Sequence, residues 1–378
     1  MPGFEIIDKK ELNEVKKIFL KSNGVLFAHG FDKLRKNIFR VRKFENELCK
    51  VFKSKYVQCV SSGTAAIKIA LKSVGVKHND EVITQGFNFI ATIEAIVDCG
   101  AKPIITGIND DLNLDLNHLK KLVTKKTKAI ILVHMLGYSG EIDKIVSFCK
   151  KKKIALIEDN CEAIGATYKK KYLGTIADIG VFSFDFGKNI TTGEGGCILT
   201  NNKKKYSFFK QYHDHGHMLL KHLPRGNDKA AMAGFNYRMT ELQAAVGLAQ
   251  LKKLNFILRE NKKRFNILNY HLSKKTYVRK IYPDSSPSHD TFLFKVKKNK
   301  KNEIVNYLNK TGIGTKNLPD AIKWHFAFYW KHAVSKKQLK NTTASKKILD
   351  EYIAIPILLK KSEKLYTKVA LKISSLIL

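Results

Sequence analysis

Short apolar runs alternate with amphipathic stretches through roughly the first two-thirds of the chain. Tyr56–Val60, Glu81–Thr84, Pro103–Ile105, Ala129–Val133, Ile154–Ile157, Val181–Phe184 and Gly196–Thr200 read as strands. Ala129-Ile130-Ile131-Leu132-Val133 is apolar at every position, the mark of a strand buried on both faces. Helical patterns fill the gaps, from the Ser61–Ala66 turn to Leu71, over Ile90–Val97 and over Ile142–Lys151. This alternation predicts an α/β domain with a mostly parallel sheet wrapped by helices. The texture changes at a long amphipathic stretch, Leu251–Lys263, followed by strand-like Thr291–Val296 and a helix over Glu303–Asn309. The expected organisation is a large domain over 1–255 and a smaller C-terminal α+β domain over 256–378.

Composition narrows the class. Hydrophobic residues make up 44% of the 378, enough for a real core, so general disorder is excluded. No apolar run is long enough to cross a bilayer, and the opening Met1–Glu5 does not read as a signal peptide, so a soluble cytoplasmic protein is expected. The formal net charge of +36 invites a nucleic-acid reading, but only eight of the 69 basic side chains are arginine. Base edges and phosphates are clamped bidentately by arginine, whereas lysines scattered over every segment point to compositional bias. Runs such as Lys150–Lys153, Lys169–Lys171 and Lys203–Lys205 are expected at helix ends, turns and solvated faces. No specific nucleic-acid partner is expected. The six cysteines lack metal-ligand spacing, so zinc and disulfides are not expected either.

Four separated pieces carry candidate chemistry. Ser61-Ser62-Gly63-Thr64-Ala65-Ala66 lies between a strand and a helix, where free N–H groups and hydroxyls make an anion site. Alone, Ser-Gly-Thr reads more readily as an ordinary helix cap. Glu158-Asp159 closes the Ile154–Ile157 strand, at the end where open α/β sheets bind ligands. A carboxylate there can pair with a pyridinium nitrogen, or simply cap the next helix. Lys188 stands in Ser183-Phe184-Asp185-Phe186-Gly187-Lys188-Asn189-Ile190-Thr191-Thr192-Gly193-Glu194-Gly195-Gly196, between two buried strands. An amine so placed is expected to lose solvation, fall in pKa and form an imine with an aldehyde. Ser183 lies near enough to add a hydroxyl to a phosphate. Finally, Gly234-Phe235-Asn236-Tyr237-Arg238-Met239 precedes an Ala-rich helix, Glu241–Ala249, and offers an Asn and an Arg to a phosphate.

Together these pieces, with Gly86-Phe87-Asn88-Phe89-Ile90-Ala91-Thr92 and Val133-His134, resemble the DegT/DnrJ/EryC1/StrS family of sugar aminotransferases. The resemblance covers nearly the whole chain and implies a fold-type I, pyridoxal-phosphate (PLP) dependent transferase with a seven-stranded sheet. It implies that Lys188 carries the cofactor and shuttles the proton, and that Asp159 binds the ring nitrogen. Phe89 would stack on the ring, while Gly63, Thr64, Ala65 and Ser183 hold the phosphate. Asn236 would complete the phosphate site of a neighbouring subunit, making a homodimer with shared active sites. Glu162 stands near the cofactor's phenolic oxygen, where the family often has Gln or His; an acid is tolerable there only if protonated or bonded elsewhere.

The implied reaction takes an amino group from an amino acid, glutamate in most of the family, to a keto- or aldehydo-sugar for surface polysaccharide or lipopolysaccharide. Met1–Glu5, Arg40–Glu45 and Asp214-His215-Gly216-His217 further resemble the branch that aminates C8 of oxidised 3-deoxy-manno-octulosonate (Kdo). Arg238, Trp324 and His325 are candidate substrate contacts, although the aromatic-rich 318–330 segment reads equally as core. Asn160-Cys161-Glu162 resembles a PLP-dependent deoxysugar dehydratase branch that replaces the catalytic lysine with histidine. The intact Lys188 favours amino transfer over that branch, and over a non-catalytic regulator of the same fold.

Overall fold

The computed structural model describes residues 2–220 and 223–377. Seven strands form the central sheet: β1 (Tyr56–Val60), β2 (Glu81–Gln85), β3 (Lys102–Thr106), β4 (Thr127–Val133), β5 (Ala155–Asp159), β6 (Ile179–Ser183) and β7 (Gly196–Thr200). Their spatial order is β1-β7-β6-β5-β4-β2-β3. The run from β3 to β6 is parallel, and β7 alone is reversed, pairing antiparallel with both β6 and β1. The expected mostly parallel, helix-wrapped sheet is therefore what the chain forms.

The continuous apolar strands are explained by their surroundings. Along β4, Ala129, Ile131 and Val133 enter one apolar cluster, while Ile130 and Leu132 enter another on the opposite face. Side chains alternate across a strand, so a sheet covered on both sides needs apolar residues at every position. Helix α1 (Lys9–Lys21) packs on the long helix α7 (Glu241–Leu272), while α2 (Arg40–Phe52), α3 (Gly63–Ser73), α4 (Ala91–Asp98), α5 (Ile142–Lys152) and α6 (Lys203–Tyr212) supply the cover of the sheet together with α7.

Helix α7 (Glu241–Leu272) is the main surprise. The Glu241–Ala249 and Leu251–Lys263 patterns are one helix of 32 residues, opened by a capping box between Thr240 and Gln243. Position 255 falls in its middle, so the chain does not break there. Phe44 packs where a Cβ on Gly247 would lie, 2.6 Å from its ring, which lets α2 approach α7 closely. Buried Glu241 also accepts from the Arg40 and Val41 N–H groups and meets Arg35 at 3.1 Å, which anchors the start of α2.

Beyond α7 come β8 (Thr291–Lys295), α8 (Lys298–Lys310), β9 (Tyr352–Pro356) and α9 (Glu363–Ile377), with β8 and β9 antiparallel. One apolar cluster runs from Ile131 and Val181 in the sheet to Phe292, Tyr352 and Tyr366 in this smaller unit. The lysine runs sit as expected: Lys150–Lys152 end α5, Lys169 and Lys170 make a turn, and Lys203–Lys205 open α6. All six cysteines are unpaired. Among the described residues no helix is long and apolar enough to cross a membrane.

Candidate active site

The carboxyl ends of β4, β5 and β6 open onto one cavity of about 590 Å³, closed from the other side by residues 315–325 and 356–358. At its first end stands the N-terminus of α3. Ser62 caps the helix in an extended conformation, and its Oγ accepts from Ala65 N–H at 3.1 Å. The Ala65 N–H is thus engaged, while Gly63 and Thr64 line the cavity with first-turn N–H groups that have no intrahelical acceptor. Gly63 is pressed against Ser183 at the end of β6: an added Cβ would lie 2.8 Å from Ser183 Cβ and 3.1 Å from Cys161 Sγ. Close packing, as much as ligand approach, demands glycine there. Gly63→Ala is expected to push α3 off β6 and raise the dissociation constant for PLP about tenfold, measured by fluorescence titration; an unchanged constant would remove Gly63 from the anion site.

At the second end, Asp159 is 3% exposed. Its Oδ2 accepts from Thr92 Oγ1 and its Oδ1 from Cys161 N–H, at 3.1 and 3.0 Å. Thr92 in turn meets Asn88, whose amide reaches Thr84. This Thr-Asn support was not singled out from the sequence, although Asn88 and Thr92 sit four apart, one helical turn. Glu158 points to the opposite face, as strand alternation requires, and accepts from Gly174, Ile176 and Ala177 N–H and lies 3.2 Å from His134 Nε2. The acid pair thus divides into one cavity carboxylate and one structural carboxylate.

Lys188 reaches the cavity between these ends, on a loop turned by Asp185, which accepts from Gly187 N–H and receives the Lys188 N–H on its carbonyl. Its Nζ lies 4.0 Å from Glu162 Oε1. The expected fall in pKa does not occur. Burial works in that direction, but Glu162, with Asp185 and Asp159 behind it, outweighs it and raises the amine above the usual lysine range. Glu162 is bonded rather than protonated: it accepts from Leu136 N–H at 3.1 Å and from Asn317 Nδ2 at 3.2 Å. Burial would raise this carboxyl, yet Lys188, Lys316 and His325 bring it down to about 2.

Phe89 lies at the cavity, 43% exposed, with its ring 5.1 Å from His325. The 324–326 segment docks on 87–90 through Asn88 N–H to His325 O and Ile90 N–H to Trp324 O. That docking turns His325 inward and leaves Trp324 61% exposed, outside the lining. Trp330 is buried, with its indole N–H on Lys323 O, so neither tryptophan faces the cavity of this chain. Burial pushes the His325 imidazole below its usual range, against the pull of Glu162. Asn236 is exposed and Arg238 is tied to Asp214 at 2.7 Å; neither lines the cavity in this chain. Sequence reading missed Thr315, Lys316 and Asn317, which lie in no motif and reach the site only through the fold.

The residues present fit PLP. A helix N-terminus with Ser183 suits a phosphate, a buried carboxylate suits a pyridinium nitrogen, and an amine stands between them. A seven-stranded sheet of this order, with a lysine loop behind one antiparallel strand, defines the fold-type I class of PLP-dependent transferases. The chain belongs to the DegT/DnrJ/EryC1/StrS aminotransferase family, whose model matches residues 32–374. GDP-perosamine synthase of Escherichia coli O157:H7 is 36% identical over 65% of this chain and 66% of its own length, so the match spans just under two thirds of that relative. GDP-4-keto-6-deoxy-D-mannose 3-dehydratase of Yersinia pseudotuberculosis is 32% identical over 72% of this chain and 71% of that protein. The fold matches Helicobacter pylori PseC, an aminotransferase of pseudoaminic acid biosynthesis, with TM-score 0.84 and 24% identity over 98% and 97% of the two chains.

Proposed function

We propose that this chain is a PLP-dependent aminotransferase that takes an amino group from an amino acid, glutamate, and gives it to a keto- or aldehydo-sugar. The observation that carries this reading is the convergence of Lys188, Asp159, Glu162, Ser183 and the α3 N-terminus on one cavity. When bound, PLP supplies an electron-withdrawing ring that acidifies the donor's Cα. Asp159, held ready by Thr92 and Cys161, would keep a proton on the ring nitrogen. Lys188 Nζ would take up and return the proton of the donor's Cα, and Glu162, 4.0 Å away, would favour the charged amine in between. Phe89, which lines the cavity, would cover one face of the bound ring and exclude water there.

The acceptor's anionic part has few partners inside one chain. Lys316 is committed to Asp290 at 2.8 Å, and the lining acids Asp159, Glu162, Asp185 and Glu194 outnumber the lysines. The carboxylate of oxidised Kdo, or the diphosphate of a nucleotide-linked sugar, would meet its cations at the mouth, supplied by a second subunit. A homodimer is supported by the exposed apolar side chains of Leu12, Phe19, Leu20, Phe31, Leu34 and Phe235, and by Asn236 lying exposed outside the lining of its own cavity. The dehydratase reading draws on Asn160-Cys161-Glu162 and on the Yersinia relative; Lys188 speaks against it.

The test is the absorption spectrum of the PLP-loaded protein before and after glutamate. Glutamate is expected to convert the visible band to the pyridoxamine phosphate form, and a sugar acceptor to restore it. A band that glutamate leaves unchanged at any concentration would sink amino transfer and bring the dehydratase reading forward.

A further inference from the structure

The three residues Gly3, Phe4 and Glu5 touch both walls of the cavity. Gly3 N–H donates to Lys188 O at 3.1 Å, so the carbonyl of the lysine itself is the anchor point. There is no room for a side chain: a Cβ on Gly3 would lie 2.6 Å from Lys188 O and 3.1 Å from Asn189 O. Phe4 stacks on Phe186, two residues before the lysine, with ring centroids 4.6 Å apart and planes 18° from parallel. Glu5, 9% exposed, turns the other way and accepts from Leu359 N–H at 2.8 Å and Lys360 N–H at 3.3 Å. Those two residues directly follow Leu358, which lines the cavity together with Pro356 at the end of β9.

A second, buried link reinforces the first. Glu11 on α1 accepts from Gln250 Nε2 at 2.9 Å, and Gln250 Oε1 accepts from Thr191 N–H in the lysine loop. Lys253 joins Ile6 O, Asp8 and Glu11 into the same unit. The lysine loop is thereby held at Lys188 directly by Gly3 and at Thr191 through Gln250 of α7, and the stretch 3–11 that meets both also grips the wall after β9.

We infer that Gly3, Phe4 and Glu5 are positioning residues that brace Lys188 and couple its loop to the 356–360 wall of the cavity. The role as catalytic positioning rests on the aminotransferase reading above, whereas the coupling of the two walls does not. An amine that must leave and return between two half-reactions needs a backbone that keeps its origin fixed. A misplacement near 1 Å can cost a reaction about a hundredfold.

The experiment separates the two readings. Hydrogen exchange on the cofactor-free protein compares the wild type with Gly3→Ala and Glu5→Gln. Each variant is expected to lose protection in 184–192 and in 356–361 together, by about tenfold in rate. In the PLP-loaded protein, the pH midpoint of the visible band is expected to shift. The single-turnover rate with glutamate should fall about tenfold while its apparent affinity holds. Loosening of one wall without the other, or a band midpoint and rate that stay at wild-type values, overturns the brace. Should Gly3→Ala fail to fold, Glu5→Gln and Phe4→Leu decide alone by the same readouts. A wild type that never responds to glutamate would sink the aminotransferase reading, yet the exchange coupling would still decide the brace.

Discussion

Lys188→Ala is expected to lower the rate of the first half-reaction by about a thousandfold while leaving PLP bound. A positioned acid–base group contributes roughly a hundred- to ten-thousandfold, and no neighbour can take over the task. The other amine of the cavity, Lys316, is 8% exposed and held by Asp290. His325 keeps its Nδ1 on Ala321 O and faces the same Glu162 that Lys188 faces. The phosphate end and Asp159 are untouched by the substitution, so fluorescence titration should show PLP binding weakened far less than the rate. Stopped-flow absorption with glutamate measures the rate itself. A variant that keeps more than about a tenth of wild-type speed would show that another group moves the proton.

Asp214→Ala is expected to cost about 3–5 kcal/mol in denaturant unfolding. Asp214 is fully buried, yet it holds two guanidinium groups, Arg225 through both nitrogens and Arg238 at 2.7 Å. Removing the acid leaves those charges without a partner. Burial would raise the Asp214 carboxyl, but Arg225, His29 and Arg238 hold it well below the usual range. A depressed carboxyl stabilises the fold above its unfolded pKa of about 3.9, and that contribution is lost as the pH falls toward the folded value. His29, brought down to about 3 by burial, is neutral at pH 7 and adds no ion pair there. The gap between wild type and variant should therefore be flat above about pH 5 and narrow in stronger acid. A gap below about 1 kcal/mol at pH 7 would mean the arginines find water instead.

The strands were legible because burial on both faces writes itself as a continuous apolar run. Their order was not. Gly196–Thr200 reads the same whether it runs with or against its neighbours, and only the paired structure shows β7 reversed between β1 and β6. Helix α7 was seen as two patterns because the charged and polar residues of its second half follow an Ala-rich first half.

Within the site, residues that share a motif were legible: Gly63 and Thr64 on one turn, Ser183 and Lys188 on another. What was hidden is electrostatic and distant in sequence. Lys188 brings the Glu162 carboxyl down first, and Lys316 and His325, more than 150 residues on, add to it because the fold lays them against it beside Asn317. The same acid reverses the expected fall of the Lys188 amine. The tryptophans stayed open between core and site for a simpler reason: an aromatic cluster does not say which rings face a core, a cavity or solvent.

Helix α7 has a consequence for how such a chain can be recombined. At about 1.5 Å per residue it is a rod near 48 Å long. Its first turns pack against α2 and its later turns carry Phe265 and Leu268 into the core shared with β8. A chimera joined at residue 255 would splice two half-rods whose buried stripes were fitted to different neighbours. Exchange of the smaller unit between relatives should succeed only where the crossover falls after Leu272, with the whole rod inherited from one parent.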